Sequence, residues 1–125
     1  MEKTITTPQT CLNRVELRGT VGAVKTFPAG GQLYIQLSLA TNFAYRDADG
    51  CAVIDTTWHN VHAHEGTFVS RDTINSIAKG DKIRVQGRIS NRRYVDENGI
   101  ERMSTVIVAS TLEKVEQEEP LQLEM

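Results

Sequence analysis

The stretch FVSRDTINSIAKGDKIRVQGRIS, Phe68 to Ser90, decides the fold. Its second half alternates Ile83, Val85, Gly87 and Ile89 with Arg84, Gln86, Arg88 and Ser90. That two-residue period is the mark of a strand with one buried face. Its first half keeps a different period. Phe68, Ile74 and Ile77 or Ala78 supply an inner stripe at helical spacing, and Gly80 is a natural stop. The chain therefore carries a lone helix immediately followed by a strand.

Working outward, strand signals dominate on both sides. NRVELRGTVG sets Val15, Leu17, Gly19 and Val21 against Arg14, Glu16, Arg18 and Thr20. Gly19 falls on the apolar side, where a missing side chain permits a bend or a close backbone approach. PAGG, residues 28–31, is turn chemistry. QLYIQLSLAT then places Leu33, Ile35, Leu37 and Leu39 on one face, and NFAYRDADG (Asn42–Gly50) reads as a polar loop. TTWHNVHAH is a third strand, DENG a hairpin turn and MSTVIVASTLEKV a fifth strand. Five strands with one helix between the third and fourth is the order of an OB-fold, a small all-β Greek-key barrel. The expected division is a flexible N-terminus over 1–10, the barrel domain over 11–115 and a short acidic disordered tail over 116–125.

Composition narrows the function. A chain of 125 residues is one domain. No apolar run approaches the roughly 20 residues of a membrane helix, and the N-terminus has no signal-like core, so a cytoplasmic protein with no membrane partner is expected. Cys11 and Cys51 read as free thiols. The net charge of −2 hides an asymmetry. Lys79 to Arg93 holds six basic residues against Asp81 alone, while Glu116, Glu118, Glu119 and Glu124 end the chain without a base. Such a split points to an anionic partner for the body and a solvated or interacting tail.

The polar faces supply candidates. On the fourth strand Arg84, Arg88, Arg92 and Tyr94 share parity, with Arg93 beside them. On the third, Trp58, Asn60, His62 and His64 share parity, while His59 faces the other way. Arginines pair with phosphates, and aromatic faces stack on any nucleobase, so this set suits single-stranded nucleic acid read without regard to sequence. Trp58 is either such a platform or a core anchor. Tyr94 either stacks or shields its hairpin, and Tyr45, beside Arg46, either stacks or packs down on the barrel. Phe27 and Phe68 read as structural, and Tyr34 stays ambiguous. HNVHAH lacks the third converging ligand that zinc requires, so no metal and no cofactor are expected. No catalytic set can be assembled, and the chain reads as no enzyme.

The fragments NRVELRGTVG, LSLATN, TTWHNV, KGDKIRVQGRI and RRYVDENGIERMSTVIV together resemble the bacterial single-stranded DNA-binding protein family, from Leu12 to Val115. The resemblance implies an OB-fold assembled as a homotetramer that protects single-stranded DNA in replication, recombination and repair. It implies stacking by Tyr45, Trp58 and Tyr94, with His64 where the family has an aromatic ring. It also implies a subunit contact at His59; Arg14, Glu16 and Arg18 are the first strand's candidates for the same contact. The tail, EQEEPLQLEM, lacks the family's long linker and Asp-rich ending, which leaves recruitment of replication or repair proteins through it as an expectation only. The alternative is a related OB-fold module, like the primosomal proteins, whose chief work is docking a replication or transfer partner.

Overall fold

A computed structural model describes residues 11–115 and the backbone of 123–124. The elements are β1 (Val15–Ala29), β2 (Gln32–Arg46), β3 (Ala52–His64), α1 (Arg71–Ser76), β4 (Lys82–Val95), β5 (Glu101–Lys114) and β6 (Leu123–Glu124). The expected order of three strands, one helix and two strands holds. β1 pairs antiparallel with β4 through Val15–Thr20 and with β2 through Thr20–Ala29, so one strand serves two neighbours. β4 continues to β5, and β5 meets β3 in a short parallel pairing at Val61–Ile107 and His62–Val108. With β3 paired to β2, the sheet closes on itself as an OB-fold barrel.

Alternation fills the interior. Val21, Ile35, Leu39, Val61, Ile83 and Val85 are almost fully buried, one face of each strand meeting the others. No buried polar or charged residue occurs among the described residues. Closure depends on two glycines. A Cβ on Gly19 would lie 2.2 Å from the Ala40 carbonyl oxygen, and one on Gly87 would lie 2.1 Å from that of Val108. Both contacts are to backbone, which cannot swing away. The close approach read at Gly19 is therefore real.

The helix is shorter than the period suggests. Ser70 caps it, its hydroxyl accepting from the Thr73 N–H at 3.1 Å, and Ile77 is already extended. Val69, Ile74 and Ile77 are buried, but Phe68, expected on the inner stripe, is 75% exposed. It precedes the cap, so helical spacing does not govern it. Ile89, expected inward, is 47% exposed, because β4 has by then left the barrel as one arm of the β4–β5 hairpin.

The polar loop expected over Asn42–Gly50 is mostly strand. Asn42–Arg46 pairs with Ala52–Thr56, leaving only the tip as turn. Both long hairpins end in the same device. Asp47 Oδ1 accepts from the Asp49 and Cys51 N–H groups, and Asp96 Oδ1 from those of Asn98 and Ile100. An aspartate that folds its carboxylate back over its own turn closes a hairpin tightly. Leu123–Glu124, inside the segment read as a disordered tail, adds two parallel rungs beside Ala44 and Tyr45; the rest of that segment, and 1–10, lie outside the described residues. No helix among the described residues is long and apolar enough to cross a membrane.

Gly87→Ala is expected to cost about 1–3 kcal/mol as an overpacked site. Thermal melting checks it, with Gly66→Ala, whose Cβ would meet nothing within 4 Å, as the unchanged control.

Candidate nucleic-acid interface

Strand register lines up the outer face in rows. His64 of β3 stands beside Tyr34 of β2, which stands beside Phe27 of β1. Two residues along, Lys25, Gln36, His62, Val108 and Arg88 form one row across five strands. Next come Ala23, Ser38 and Asn60, and then Thr20, Ala40 and Trp58. Rows lie about 6.6 Å apart, twice the rise of a strand residue. The parity read for Trp58, Asn60, His62 and His64 is thus the outer face of the barrel.

Trp58 is 61% exposed, so the core-anchor reading fails. Its position is nevertheless set from below. β1 bulges between Val21 and Ala23, and the freed Ala23 N–H donates to Ser38 Oγ at 2.9 Å. Gly22 sits in that bulge, where a Cβ would lie 2.4 Å from Cζ3 of Trp58. The benzene end of the indole therefore rests on bare backbone, and much of the ring is open.

The arginines divide by their partners. Arg84 pairs with Glu16 across β1 and β4, on the barrel wall that also carries Arg14 and Arg18. Arg93 reaches Glu101 at 3.5 Å, both side chains well exposed, and Arg102 reaches Asp96 at 2.7 Å. Arg88 and Arg92 have no carboxylate partner among the described residues. Arg92 leans toward β3, lining a depression of about 240 Å³ with Phe27, Tyr34, Gln36, His62 and His64. Burial, and then the nearby Arg92 charge, hold the His62 imidazole below its ordinary pKa. Tyr94 shares the β4 parity of Arg88 and Arg92 and is 49% exposed.

Other candidates stand apart. By alternation Tyr45 lies on the opposite face of the β2–β3 hairpin from Trp58, its ring 6.1 Å from Phe43. Arg46 donates to the Gly50 carbonyl at 2.9 Å, at the hairpin tip. His59 turns to the other face, where Nε2 meets Thr41 Oγ1 at 2.9 Å. Among the described residues no three His, Cys, Asp or Glu side chains converge as metal ligands.

Sequence reasoning left Tyr34 ambiguous and read Phe27 as structural, and it singled out neither Gln36 nor Lys25. Phe27 and Tyr34 stack with centroids 5.6 Å apart and planes 9° apart, and Lys25 Nζ stands 5.8 Å from the Phe27 ring. PAGG signalled the hairpin but not the register that makes these two rings neighbours.

Comparison with known proteins places this geometry. The model of the single-strand binding protein family matches residues 12–115. The mitochondrial single-stranded DNA-binding protein of Oryctolagus cuniculus is 33% identical over 110 residues, covering 81% of this chain and 73% of that protein. A Neisseria meningitidis single-stranded DNA-binding protein is 32% identical over 104 residues; the match covers 81% of this chain but only 58% of that protein. The Plasmodium falciparum SSB, solved in complex with ssDNA, superposes with a TM-score of 0.74 at 27% identity, covering 88% of this chain and 100% of that one.

Gly22→Val is expected to lift the indole off β1. As Trp58 is the only tryptophan, a red-shifted emission and greater quenching by acrylamide, with an unchanged far-UV spectrum, check this directly. Because folding lowers the His62 pKa from its ordinary value of 6.5, the unfolded chain takes up its proton first as pH falls. Stability is therefore complete above that value and declines below it. His62→Gln should flatten this limb of a melting-midpoint profile, leaving the separate loss at carboxylate pH that Glu65, Asp81 and Asp96, all lowered by hydrogen bonds, bring.

Proposed function

This chain belongs to the single-strand binding protein family, and from that premise we propose that it binds single-stranded DNA without regard to sequence, bases stacking on exposed rings and phosphates pairing with Arg and Lys. The observation that carries this is Trp58, packed against Gly22 and open to solvent, in a face whose arginines at 88 and 92 have no carboxylate partner among the described residues. An indole presented in this way offers a base a hydrophobic, polarisable surface. It does so at little entropic cost, since the ring is already held.

Trp58, Asn60, His62, His64, Arg88, Arg92 and Tyr94 form the central track. Tyr45 and Arg46 serve a strand that passes on to the β2–β3 hairpin, and Arg93 adds charge at the edge of the β4–β5 hairpin. Arg84 is committed to Glu16 and contributes least. Stacking and ion pairing release the strand unchanged; the role is protective, in replication, recombination and repair, and the family is one of DNA binders rather than enzymes. Cytoplasmic action at the nucleoid agrees with the bacterial relative, although mitochondrial relatives exist as well.

Assembly of several copies, as a tetramer, is part of the proposal. Val15–Gly19 of β1 pairs only with β4, so its other backbone edge is open among the described residues. An open edge accepts a strand from a second copy, beside Arg14, Glu16, Arg18 and His59. Recruitment of replication or repair proteins by the acidic tail rests on composition alone.

Titration with oligo(dT) should quench Trp58 emission. With Arg88, Arg92 and Lys25 each neutralising one phosphate, log K should fall against log salt with a slope of about −2 per protomer. Trp58→Ala should weaken binding by about 1–3 kcal/mol. Emission that stays flat at saturating oligonucleotide would turn the reading toward the protein-docking module.

A further inference from the structure

Strand β2 outruns its first partner. β1 leaves it at Ala40, opposite Thr20, while β2 continues with β3 as far as the pair Arg46 and Ala52. Beyond Ala40 the hairpin is a two-stranded ribbon, which is marginally stable by itself in water. Its β2 edge would be an unpaired row of N–H and C=O groups, and β6 takes part of it: Ala44 pairs with Leu123 and Tyr45 with Glu124, in parallel. Burial marks the same spot. Ala44 is 2% exposed, although Phe43 beside it and Ile54 across from it are both exposed. Residues 123–124 can reach this edge within one chain. Val115 donates its N–H to the Lys82 carbonyl, Lys82 pairs with Thr20, and Thr20 with Ala40. Val115 therefore stands three strand spacings to the side of Ala40, with Ala44 four residues further along β2, a gap of roughly 20 Å. The chain from Val115 to Leu123 spans about 26 Å when extended. The parallel sense follows, because β2 and the tail both run outward from the barrel.

We propose that the C-terminal strand is a brace for the β2–β3 hairpin: it holds the arm that carries Tyr45 and Arg46 in order, and DNA binds with the brace in place. This rests on the single-stranded DNA reading above. A strand added at an edge lies in the plane of the sheet, because its hydrogen bonds run in that plane. The face with Trp58 and the opposite face with Tyr45 both stay open to nucleotides, so the acidic tail and the DNA do not contend for one surface. Ordering the ribbon beforehand removes a cost that binding would otherwise carry, since only the ordered fraction of hairpins is competent. The same pairing covers an edge that would otherwise invite a strand from another chain. The sign of the tail's effect follows: loss of the strand weakens DNA binding, where loss of a competing acidic segment would strengthen it.

The test compares the full chain with two variants of the same length. Leu123→Pro with Glu124→Pro removes both N–H groups the added strand could donate. Glu118→Gln with Glu119→Gln removes charge from the tail and leaves the strand. Hydrogen exchange without DNA reads the hairpin, and anisotropy of labelled oligo(dT) together with Trp58 emission reads binding. The proline variant should speed exchange of the Asn42–Arg46 and Ala52–Thr56 amides roughly 5- to 30-fold, the value of one or two net hydrogen bonds. Its Val21 and Val85 amides, inside the barrel, should exchange as in wild type, and its affinity for oligo(dT) should fall several-fold. The glutamine variant should keep wild-type exchange. Hairpin exchange unchanged by the prolines overturns the proposal, and so does tighter DNA binding by the proline variant, which makes the tail a competitor. Trp58 left unquenched in the wild type at saturating oligo(dT) overturns instead the DNA reading, while the exchange comparison, made without DNA, still decides whether the strand braces the hairpin.

Discussion

A barrel of five strands closes only where backbone can touch backbone. Here that happens twice, at Gly19 against the Ala40 carbonyl and at Gly87 against the Val108 carbonyl, closer than any side chain permits. The first contact lets β1 leave β4 and join β2 within a single strand. The second lies at the register shift where β4 passes β5. Everything on the outer face follows from these crossings, because they set which strands are neighbours and hence which polar residues share a row. A third glycine, Gly22, serves the surface instead, making a bulge on which the indole of Trp58 lies.

Charge on this surface is organised by subtraction. The chain as a whole is slightly acidic, and several of its carboxylates are spent close to home. Glu16 holds Arg84, Asp96 holds Arg102 and Glu65 holds Arg71. These pairs are exposed and contribute little stability each; their effect is to cancel charge around the barrel. Arg88 and Arg92 escape such pairing among the described residues, and they flank the strip carrying His62 and His64. A protein with negative net charge thereby presents a local cationic track, and the depressed pKa of His62 keeps that strip from repelling Arg92 further. Partner choice depends on where the charge is left, not on its sum.

Much of this was legible beforehand. Alternation in Val15–Val21 and Ile83–Gly87 predicted the buried face of β1 and the start of β4, and the parity of Trp58, Asn60, His62 and His64 predicted one outward face. The family resemblance agrees with the residues matched by the family model. Other readings failed for identifiable reasons. Ile89 keeps the alternation of its strand, but the strand has left the core. Phe68 has helical spacing yet precedes the helix cap. Asn42–Arg46 looks polar because a hairpin arm in solvent needs no apolar face, and it is strand all the same.

What the amino-acid order determined by itself is local: periodicity, turn chemistry and which side of each strand is polar. These depend on neighbours within a few residues, so they can be read along one dimension. Which polar sides meet was decided only by the tertiary structure. The stacking of Phe27 on Tyr34, the approach of Arg92 to His62 and the seat of Trp58 on Gly22 all arise from register between strands. Register is a property of pairs of segments closed by turns and bulges, and no single segment carries it.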